Sequence, residues 1–404
     1  MRAPILRFAE FTDDWEETTL ENLAEVERGK FSVRPRNDPR YFGGEMPFVQ
    51  TGDVTGSDMY LKGYSQTLNA DGIKVSKVFP ADTILITIAA NIGDTTITQY
   101  AVACPDSVVA IQAKKDLANT IFLKNLIDLQ KENLDSQATQ NAQKNINLQV
   151  LKPLQLIAPS KAEQTKIATF LSAVDEKISQ LSQKLHLLGQ YKQGMMQKLF
   201  SQQIRFKVDD GSEFGEWKSI QLKDIAERIT RKNKEENQNA LTISAQMGLV
   251  NQQEYFSKQI ASRDLSKYYL LHKGEYAYNK SYSAGYPMGA IKRLKLYDKG
   301  VVSTLYICFS LNKHINSDFF EQYVESGALV PELEKIAQEG ARNHGLLNIS
   351  LQEFFEVNLW TPCLEEQTKI ANFLSSIDKK IDVISEQLEQ AKLWKKGLLQ
   401  QMFV

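Results

Sequence analysis

The chain is poor in the residues from which metal centres and disulfide frameworks are built. Its 404 residues include three cysteines and four histidines. The cysteines, Cys104, Cys308 and Cys363, are odd in number and show no CxxC spacing, so the sequence supports neither a disulfide framework nor a Cys/His zinc site. We expect all three to be buried thiols, and we expect no metal site in the chain.

Long apolar runs are missing as well. No stretch approaches the roughly 18 consecutive apolar residues that a membrane span needs, and the opening MRAPILRFAEFTDD holds no apolar core of signal-peptide length. We therefore expect a cytoplasmic protein without membrane association. With 42% hydrophobic and 24% charged residues the composition is that of globular domains, and the length favours two or more of them.

Motifs of known catalysts are absent or incomplete. The chain has no GxxxxGK[ST] loop, and no GxGxxG follows a strand. Residues 37–42, NDPRYF, resemble the Asn/Asp-Pro-Pro-aromatic loop of adenine methyltransferases, but Arg40 replaces the second proline and no glycine-rich cofactor loop precedes it. Asp106, Gln112 and Lys114 resemble a nuclease site, although such a site needs clustered carboxylates around its metal. The simpler prediction for the second stretch is a structural strand.

What the chain does contain is a repeat. EQTKIATFLSAVDEKI (163–178) returns as EQTKIANFLSSIDKKI (366–381), with 12 identities in 16 positions at an offset of 203 residues. The openings of the halves also match, since Arg7, Phe8 and Trp15 return as Arg205, Phe206 and Trp217. Between these frames the halves diverge, although PADTILITIAANIGDTTI and KGEYAYNKSYSAGYPMGAI each predict a strand whose loop returns through a glycine, Gly93 or Gly289. We expect two complete units with a shared mixed α/β fold.

The repeated segments predict long helices. Their apolar residues recur at alternating intervals of three and four, which is typical of a coiled-coil seam. The seam residues are Leu171, Val174, Ile178, Leu181, Leu185 and Leu188 in the first copy, and Leu374, Ile377, Ile381, Ile384 and Leu388 in the second. A helix over residues 163–199 would be about 55 Å long, against about 34 Å for one turn of B-DNA. We predict antiparallel pairing of the two helices; the alternative is that each packs only on its own domain.

Positive charge is concentrated in the two variable segments, although the net charge is −1. Residues 28–40 hold five bases against one acid, and residues 266–299 hold Lys267, Lys273, Lys280, Lys292, Arg293, Lys295 and Lys299 among several tyrosines. Arginine can bind guanine edges bidentately, glutamine and asparagine can bind adenine, and lysine suits phosphates. Solvated loops are the simple alternative, but the recurrence of basic segments in both halves favours binding to DNA.

Together these features resemble the specificity subunit of Type I restriction-modification enzymes over essentially the whole chain. The resemblance rests on the paired P...EQTKIA.FLS..D.KI segments, the Arg-Phe openings with Trp15 and Trp217, and GARNHGLLNIS at 340–350. It implies a mixed α/β (α+β) fold with a pseudo-twofold internal repeat and two long antiparallel helices. Its parts would be a target-recognition domain at 1–158, a central spacer helix at 159–203, a second target-recognition domain at 204–360 and a distal spacer helix at 361–404.

The resemblance also implies a non-catalytic subunit that binds double-stranded DNA at a bipartite, asymmetric site. Two methyltransferase subunits, which carry S-adenosylmethionine and methylate adenine, would dock on the helices that the two seams pair. Restriction subunits would bring ATP and Mg. The chain itself would hold no cofactor and no catalytic residue.

The DNA contacts predicted on this basis lie in both variable segments. They are Arg34, Arg36, Arg40 and Gln50 in the first, and Lys280, Tyr282, Arg293 and Arg342 in the second. Residues 137–147 depart from the pattern at 340–350. The sequence therefore does not identify which residue of the first half would correspond to Arg342. Two other classes also stay open: a single-chain nuclease or methyltransferase dependent on Asp106 or Asp38, and a coiled-coil scaffold whose globular halves bind proteins.

Overall fold

The chain divides into two compact units, each of which contains part of both repeated helices. The computed structural model describes residues 3–89, 91–137, 145–256, 264–283, 285–337 and 347–403. Unit 1 comprises Met1–Ser182 together with Glu386–Val404, and unit 2 comprises Gln183–Ser385. Arg342, a predicted DNA contact, and residues 138–144 lie outside the described residues.

Unit 1 is mainly antiparallel β structure with short helices. Its strands are β1 (Glu16–Thr19), β2 (Ala24–Arg28), β3 (Phe42–Phe48), β4 (Gln66–Leu68), β5 (Val78–Phe79), β6 (Ile84–Thr87), β7 (Thr95–Ile97), β8 (Val102–Ala103), β9 (Val108–Ala113) and β10 (Gln155–Ala158). Its helices are α1 (Leu20–Leu23), α2 (Thr51–Thr55), α3 (Ala70–Lys74), α4 (Thr120–Asp128), α5 (Lys131–Ser136), α6 (Leu148–Leu151) and the first part of α7 (Lys161–Phe200). One sheet has the order β2-β9-β6-β7, a second has the order β4-β3-β8-β5, and β1 pairs with β10.

The β2-β9-β6-β7 sheet of unit 1 is buried on both faces. Side chains alternate across a strand, and in β6 Ile84 and Ile86 enter one core with Phe122 of α4, while Leu85 enters a second core with Val102 of β8. This is why the predicted strand TILITIA reads as an unbroken apolar run rather than as an alternating one. The sheet thus has the helices on one side and the second sheet on the other.

Unit 2 repeats the first of these sheets. Its strands are β11 (Lys218–Gln221), β12 (Ala226–Arg228), β13 (Leu241–Ser244), β14 (Gly248–Asn251), β15 (Tyr269–His272), β16 (Tyr276–Asn279), β17 (Ala290–Arg293), β18 (Lys299–Val302), β19 (Ile307–Leu311) and β20 (Asn358–Thr361). Its helices are α8 (Leu222–Ile225), α9 (Gln252–Phe256), α10 (Ser317–Glu325), α11 (Val330–Ile336), α12 (Leu351–Glu356) and the first part of α13 (Leu364–Met402). The sheet order is β12-β19-β16-β17, β11 pairs with β20, and β13-β14 and β15-β18 form two separate ribbons.

The predicted glycine turns are confirmed in both units. Gly93 lies between β6 and β7 with φ +86, and Gly289 lies just before β17 with φ +74, a region of backbone conformation that favours glycine. At Gly289 space is also lacking, because a Cβ atom there would lie 2.2 Å from the carbonyl oxygen of Asn279. The divergent middles of the halves therefore share the same central hairpin.

The two repeated segments form helices of 40 and 39 residues, α7 and α13. In unit 1 Leu171 and Val174, early in α7, share a core with Leu398, late in α13. In unit 2 the roles are exchanged, because Leu374 and Ile377 of α13 share a core with the end of α7. Within each unit the beginning of one helix thus meets the end of the other, so the pairing is antiparallel, as predicted.

The predicted seam follows the buried side of the helices. Leu171, Val174, Leu181, Leu374, Ile377, Ile384 and Leu388 are buried, and Ile178, Leu185, Leu188 and Ile381 are partly buried. The opposite sides carry mostly charged and polar residues, as expected for an amphipathic helix.

The expectation for the cysteines is confirmed for two and wrong for the third. Cys104 and Cys308 are buried, and burial raises the pKa of each thiol to about 12. Cys363 is exposed, because it precedes α13 at the surface. Among the described residues no group of histidine, cysteine and acidic side chains is arranged to hold a metal ion, and none of the described helices is long and apolar enough to cross a membrane.

Candidate nucleic-acid interface

The glutamate of the repeated motif forms a buried clamp in each unit. In unit 1 Glu163 accepts two hydrogen bonds of 2.8 Å from the guanidinium of Arg7. In unit 2 Glu366 accepts hydrogen bonds of 3.1 and 2.7 Å from Arg205. Each arginine also donates to a nearby backbone carbonyl, which is that of Asp13 in unit 1. The two Arg-Phe openings are therefore tied to the start of the long helices by the same bidentate ion pair.

The glutamine that follows supports a second helix in the same way. Gln164 accepts a 3.0 Å hydrogen bond from the backbone N–H of Asn119, whose own side chain caps α4. Gln367 accepts a 2.8 Å bond from Asn316, which caps α10. Each glutamine also donates to the carbonyl of the proline five residues earlier, at 3.0 Å. All polar groups of these buried amides are thus used locally, as burial requires.

The aspartate of the motif joins the two helices. Asp175 of α7 forms a 2.5 Å ion pair with Lys395 of α13, and Asp378 of α13 forms a 2.6 Å ion pair with Lys192 of α7. The two ion pairs occupy equivalent positions of the repeat. The repeated motif is therefore a framework that holds each unit together, and the exposed surfaces for recognition lie elsewhere.

In unit 1 the basic loop between β2 and β3 turns its aromatic residues inward and its arginines outward. Phe31 is buried against Phe42 and Phe48, with ring centroids 5.5 and 5.1 Å apart. Phe31, which lies among the bases of this loop, thus anchors the loop and is not available to stack on nucleic-acid bases. Arg34, Arg36 and Arg40 are all exposed on this loop.

Two of these arginines are braced by acids. Arg36 pairs with Asp106 at 2.9 Å, and Arg28 donates to the carbonyl oxygen of the same Asp106 at 2.5 Å. Arg40 is 77% exposed and pairs at 2.6 Å with Asp38, whose pKa the hydrogen bonds from Arg40 hold below its usual value. The bracing limits the number of positions that each guanidinium samples without burying it.

The loop comes close to the Asp106 turn because of a glycine. A Cβ atom at position 29 would lie 2.3 Å from the carbonyl oxygen of Pro105, so Gly29 is needed for the approach. Gln50, the fourth residue predicted in this unit, lies beyond β3 at the N-terminus of α2. It is partly buried and donates to Gln66 at 2.9 Å. The three arginines thus lie on one loop, and Gln50 lies outside that loop, between β3 and α2.

The residues of the nuclease alternative do not converge. Asp106 precedes β9 and Lys114 follows it, so the length of the strand separates them. Lys114 donates to the backbone carbonyl of Glu21 at 2.7 Å. Asp38, the residue of the methyltransferase alternative, caps a short 3-10 turn at Pro39–Tyr41. Both aspartates hold loop structure, Asp106 through Arg36 and Asp38 through Arg40.

In unit 2 most of the predicted basic segment is neutralised by acids, all but one of which lie outside the segment. The ion pairs are Lys273–Asp298, Lys292–Glu325, Arg293–Asp318, Lys295–Glu321 and Lys299–Glu235. Arg293 is only 23% exposed, at 2.5 Å from Asp318 and 3.7 Å from Glu321. Lys280 is partly buried and donates to the backbone carbonyl of Ile349 at 3.2 Å. The linear run of charge therefore does not translate into an equally positive surface.

Tyr282 is the exposed member of the second predicted set, at 66%. It lies in the loop between β16 and β17, where Ser283 and Tyr286 exchange backbone hydrogen bonds. The loop is fixed from below, because the Tyr286 hydroxyl donates to Glu325 at 2.7 Å and accepts from buried Lys292 at 2.9 Å. Burial is the largest cause of the raised pKa of Tyr286, so this hydroxyl stays protonated as a donor.

The structure adds surface residues that the sequence reasoning missed. Arg28 joins the Asp106 cluster of unit 1, and its place next to Gly29 was a signal that could have found it. In unit 2 the tip of the β13-β14 hairpin exposes Gln246 and Met247. They border a cavity of about 320 Å³ whose lining includes Lys292, Arg293 and Asp378. The turn glycine that follows, Gly248 with φ +81, marks this hairpin in the sequence.

Comparison with known proteins gives one consistent family. The family model described as Type I restriction modification DNA specificity domain matches residues 12–188 and again residues 215–393. The MjaVIII specificity subunit of a Type I restriction enzyme from Methanocaldococcus jannaschii is 25% identical over 206 residues, which are 46% of this chain and 47% of that protein. The chain thus spans about half the length of the curated relatives it matches.

Two solved structures share the fold. The S subunit of a Type I restriction-modification system from M. genitalium superposes with a TM-score of 0.61 at 16% identity, over 100% of this chain and 99% of that one. A chain from a study of complex assembly and conformational transition of the Type I R-M system gives a TM-score of 0.52 at 13% identity, over 96% and 97%. At these identities the likeness shows the fold alone.

Proposed function

This chain belongs to the Type I restriction-modification DNA specificity family, and we propose that it selects a bipartite DNA site, one half through each unit, for enzymes that act on it. Specificity subunits are the non-catalytic members of their systems, and the chemistry belongs to partner subunits. The observation that carries the proposal is the contrast within the chain. The buried framework is duplicated contact for contact, whereas the exposed loops of the two units are different.

A duplicated frame with divergent loops suits a reader of two different half-sites. If both units served one symmetric sequence, the same side chains would be needed at both exposed loops. Instead unit 1 presents arginines and unit 2 presents Tyr282 and the Gln246–Met247 hairpin tip. Two readers with different surfaces fit an asymmetric site.

For the first half-site we propose contacts by Arg34, Arg36, Arg40 and Gln50. Arginine can bind guanine edges bidentately or neutralise phosphates, and the acids beside Arg36 and Arg40 hold the guanidinium groups in defined positions. For the second half-site we propose direct contact by Tyr282. Arg293 and Lys280, which are engaged with the protein itself, would support that loop and reach DNA only by exchanging partners.

We propose that the helices set the distance between the readers and receive two methyltransferase subunits. What supports this is the length of α7 and α13, about 60 Å each at 1.5 Å per residue, and the presence of the same helix framework in both units. S-adenosylmethionine would be held by the methyltransferase subunits, and ATP and Mg by restriction subunits. Two identical partners on a duplicated frame follow the rule that the symmetry of an assembly matches the symmetry of its interfaces.

A binding experiment tests the proposal. The chain, purified with its methyltransferase partner, should retain a labelled duplex that carries one bipartite motif, and the affinity should fall linearly with salt on a double-logarithmic plot as phosphate counterions are released. Binding that ignores sequence at every salt concentration would contradict the proposal. Cleavage or methyl transfer by the chain alone, abolished by Asp106→Ala or Asp38→Ala, would support the enzyme alternative instead. Complete failure to bind DNA with partners present would favour the scaffold.

A further inference from the structure

We propose that Trp394 in unit 1 and Tyr191 in unit 2 are the anchor residues of two matched docking patches for two copies of one protein. The inference rests on the proposed function, which supplies the partner as the methyltransferase subunit, and it adds the residues that this partner grips. Each patch is built within a single unit.

Exposed apolar side chains on the two helices separate into two classes when the copies of the repeat are compared. Leu187, Val383, Leu393 and Leu364 are exposed, and their counterparts at the 203-residue offset are Gln390, Gln180, Gln190 and Lys161. The remaining exposed pair differs. Trp394 is 54% exposed and its counterpart Tyr191 is 51% exposed, so an aromatic ring is kept at the surface in both copies.

The surroundings of the two rings are equivalent. Trp394 directly precedes Lys395, which pairs with Asp175, and Tyr191 directly precedes Lys192, which pairs with Asp378. The ion pairs therefore fix the rings at corresponding places on the two helix pairs. Neither ring is needed to fill a core, since about half of each side chain remains in contact with solvent.

The phenylalanine pair next to Trp394 has a counterpart in unit 2. In unit 1 Trp394 lies 6.1 Å from Phe170, which lies 5.8 Å from Phe8. The counterparts of these two phenylalanines in unit 2, Phe373 and Phe206, lie 5.7 Å apart. All four phenylalanines are partly buried. In unit 1 the two phenylalanines form an aromatic base at the edge of which Trp394 is exposed, and unit 2 repeats this pair of phenylalanines.

A lysine borders each patch at equivalent positions. Lys166 lies over the ring of Phe8 at 5.4 Å and pairs with Glu10 at 3.3 Å. Lys369, its counterpart, pairs with Asp209 at 2.5 Å. In both units the bordering charge is thus already compensated from the opening segment of the unit, so the patch offers mainly aromatic surface.

Matched patches on otherwise divergent units indicate a partner that is the same at both. The loops proposed to contact DNA differ because their targets differ. A patch that is the same in both units is expected to bind the same partner surface in both. Tryptophan and tyrosine in a partly apolar patch are the residue types that dominate protein interfaces energetically. The partner is therefore a protein present in two copies, with a pocket that accepts one aromatic ring.

The test uses the full chain and its methyltransferase subunit. Native mass spectrometry should show two methyltransferase copies on the unmodified chain. Trp394→Ala or Tyr191→Ala should lower the affinity for one of the two methyltransferase copies by about 30-fold or more in calorimetric titration, which is the scale of a hot-spot truncation. The double variant should lower the affinity for both copies. Val383→Ala is the matched control, because it removes exposed apolar surface that the repeat does not preserve. Trp394→Tyr, which copies the ring of the other patch, should restore binding.

A measurement on the unmodified chain distinguishes the loss of a docking contact from the misfolding of a variant. Hydroxyl-radical footprinting should show Trp394 and Tyr191 protected in the complex and Leu187 oxidised as before. If two copies bind with unchanged affinity to the double variant and the rings stay unprotected, the inference is overturned while the proposed function stands. If the unmodified chain binds no methyltransferase subunit, the docking part of the proposed function fails and the inference fails with it.

Discussion

The two units share a buried framework and differ in the loops proposed to contact DNA. Arg7–Glu163 and Arg205–Glu366, the capping glutamines and the four-stranded sheets correspond one to one. The second layer does not, because unit 1 has a four-stranded sheet where unit 2 has two ribbons. The basic segments differ as well: that of unit 1 keeps its arginines exposed, and that of unit 2 is largely ion-paired. Duplicated sequence therefore marks buried polar contacts, and divergence marks the surfaces that select a target.

The largest effect is expected from breaking the buried clamps. Arg7→Ala and Arg205→Ala each leave a buried carboxylate without its ion-pair partner, which costs about 3–5 kcal/mol. We expect similar losses in the two units if the clamps are equivalent, measured as the fall in unfolding free energy by denaturant titration. Lys166→Ala, which removes an exposed ion pair with Glu10, is the control and should cost less than about 1 kcal/mol. A clamp variant no less stable than this control would contradict the shared framework.

The next effect separates the surfaces of the units. Replacing Arg34, Arg36 and Arg40 by alanine should weaken binding of the bipartite duplex by about 100-fold or more, because each good bidentate contact contributes about 1–3 kcal/mol. The salt dependence should become shallower if phosphates are among the contacts. Lys74→Ala, at an exposed ion pair with Asp71 in the same unit, should leave binding unchanged. If the triple variant and this control bind the duplex with equal affinity, the loop is not part of the DNA interface.

A smaller effect is expected from the two buried glutamines of the repeated motif, Gln164 and Gln367. Gln164→Ala and Gln367→Ala each remove the acceptor of a backbone N–H at the start of α4 or α10, and an unsatisfied buried donor costs about 1–3 kcal/mol. The exposed Gln180→Ala on the same helix is the comparison and should change the unfolding free energy by less than about 0.5 kcal/mol. If the two buried variants differ widely from each other, the interiors of the units are less alike than their contacts indicate.

The smallest effect concerns the loop of unit 2. Tyr286→Phe removes one hydroxyl and leaves the Lys292–Glu325 ion pair in place, so we expect a loss of about 1 kcal/mol in unfolding free energy. Tyr282→Phe, at the exposed site above it, should leave stability unchanged. A stability loss for Tyr282→Phe and none for Tyr286→Phe would contradict the assignment of Tyr286 as the residue that holds the loop and of Tyr282 as the exposed residue.

The sequence predicted much of this fold because the evidence was local or repeated. The match of Arg7 and Glu163 to their copies, the helical seam and the hairpins at Gly93 and Gly289 needed no knowledge of distant contacts, and the family resemblance is confirmed. The state of the basic residues could not be predicted in the same way. Arg293 and Lys292 are neutralised by Asp318 and Glu325, which lie 25 and 33 residues further along the chain. Phe31 likewise lies among the bases of residues 28–40 in the sequence, whereas folding places it in a core with Phe48 and Leu68.

Mapping of methylated adenines tests the central claim most directly. Genomic DNA from cells that express this chain with its methyltransferase subunit should carry modified adenines in both halves of one bipartite motif with a constant gap. When Arg34, Arg36 and Arg40 are replaced by alanine, recognition of one half should relax while the sequence of the other half and the gap remain. A single uninterrupted motif, or a change in both halves from this one loop, would contradict the account of two independent readers on a common frame.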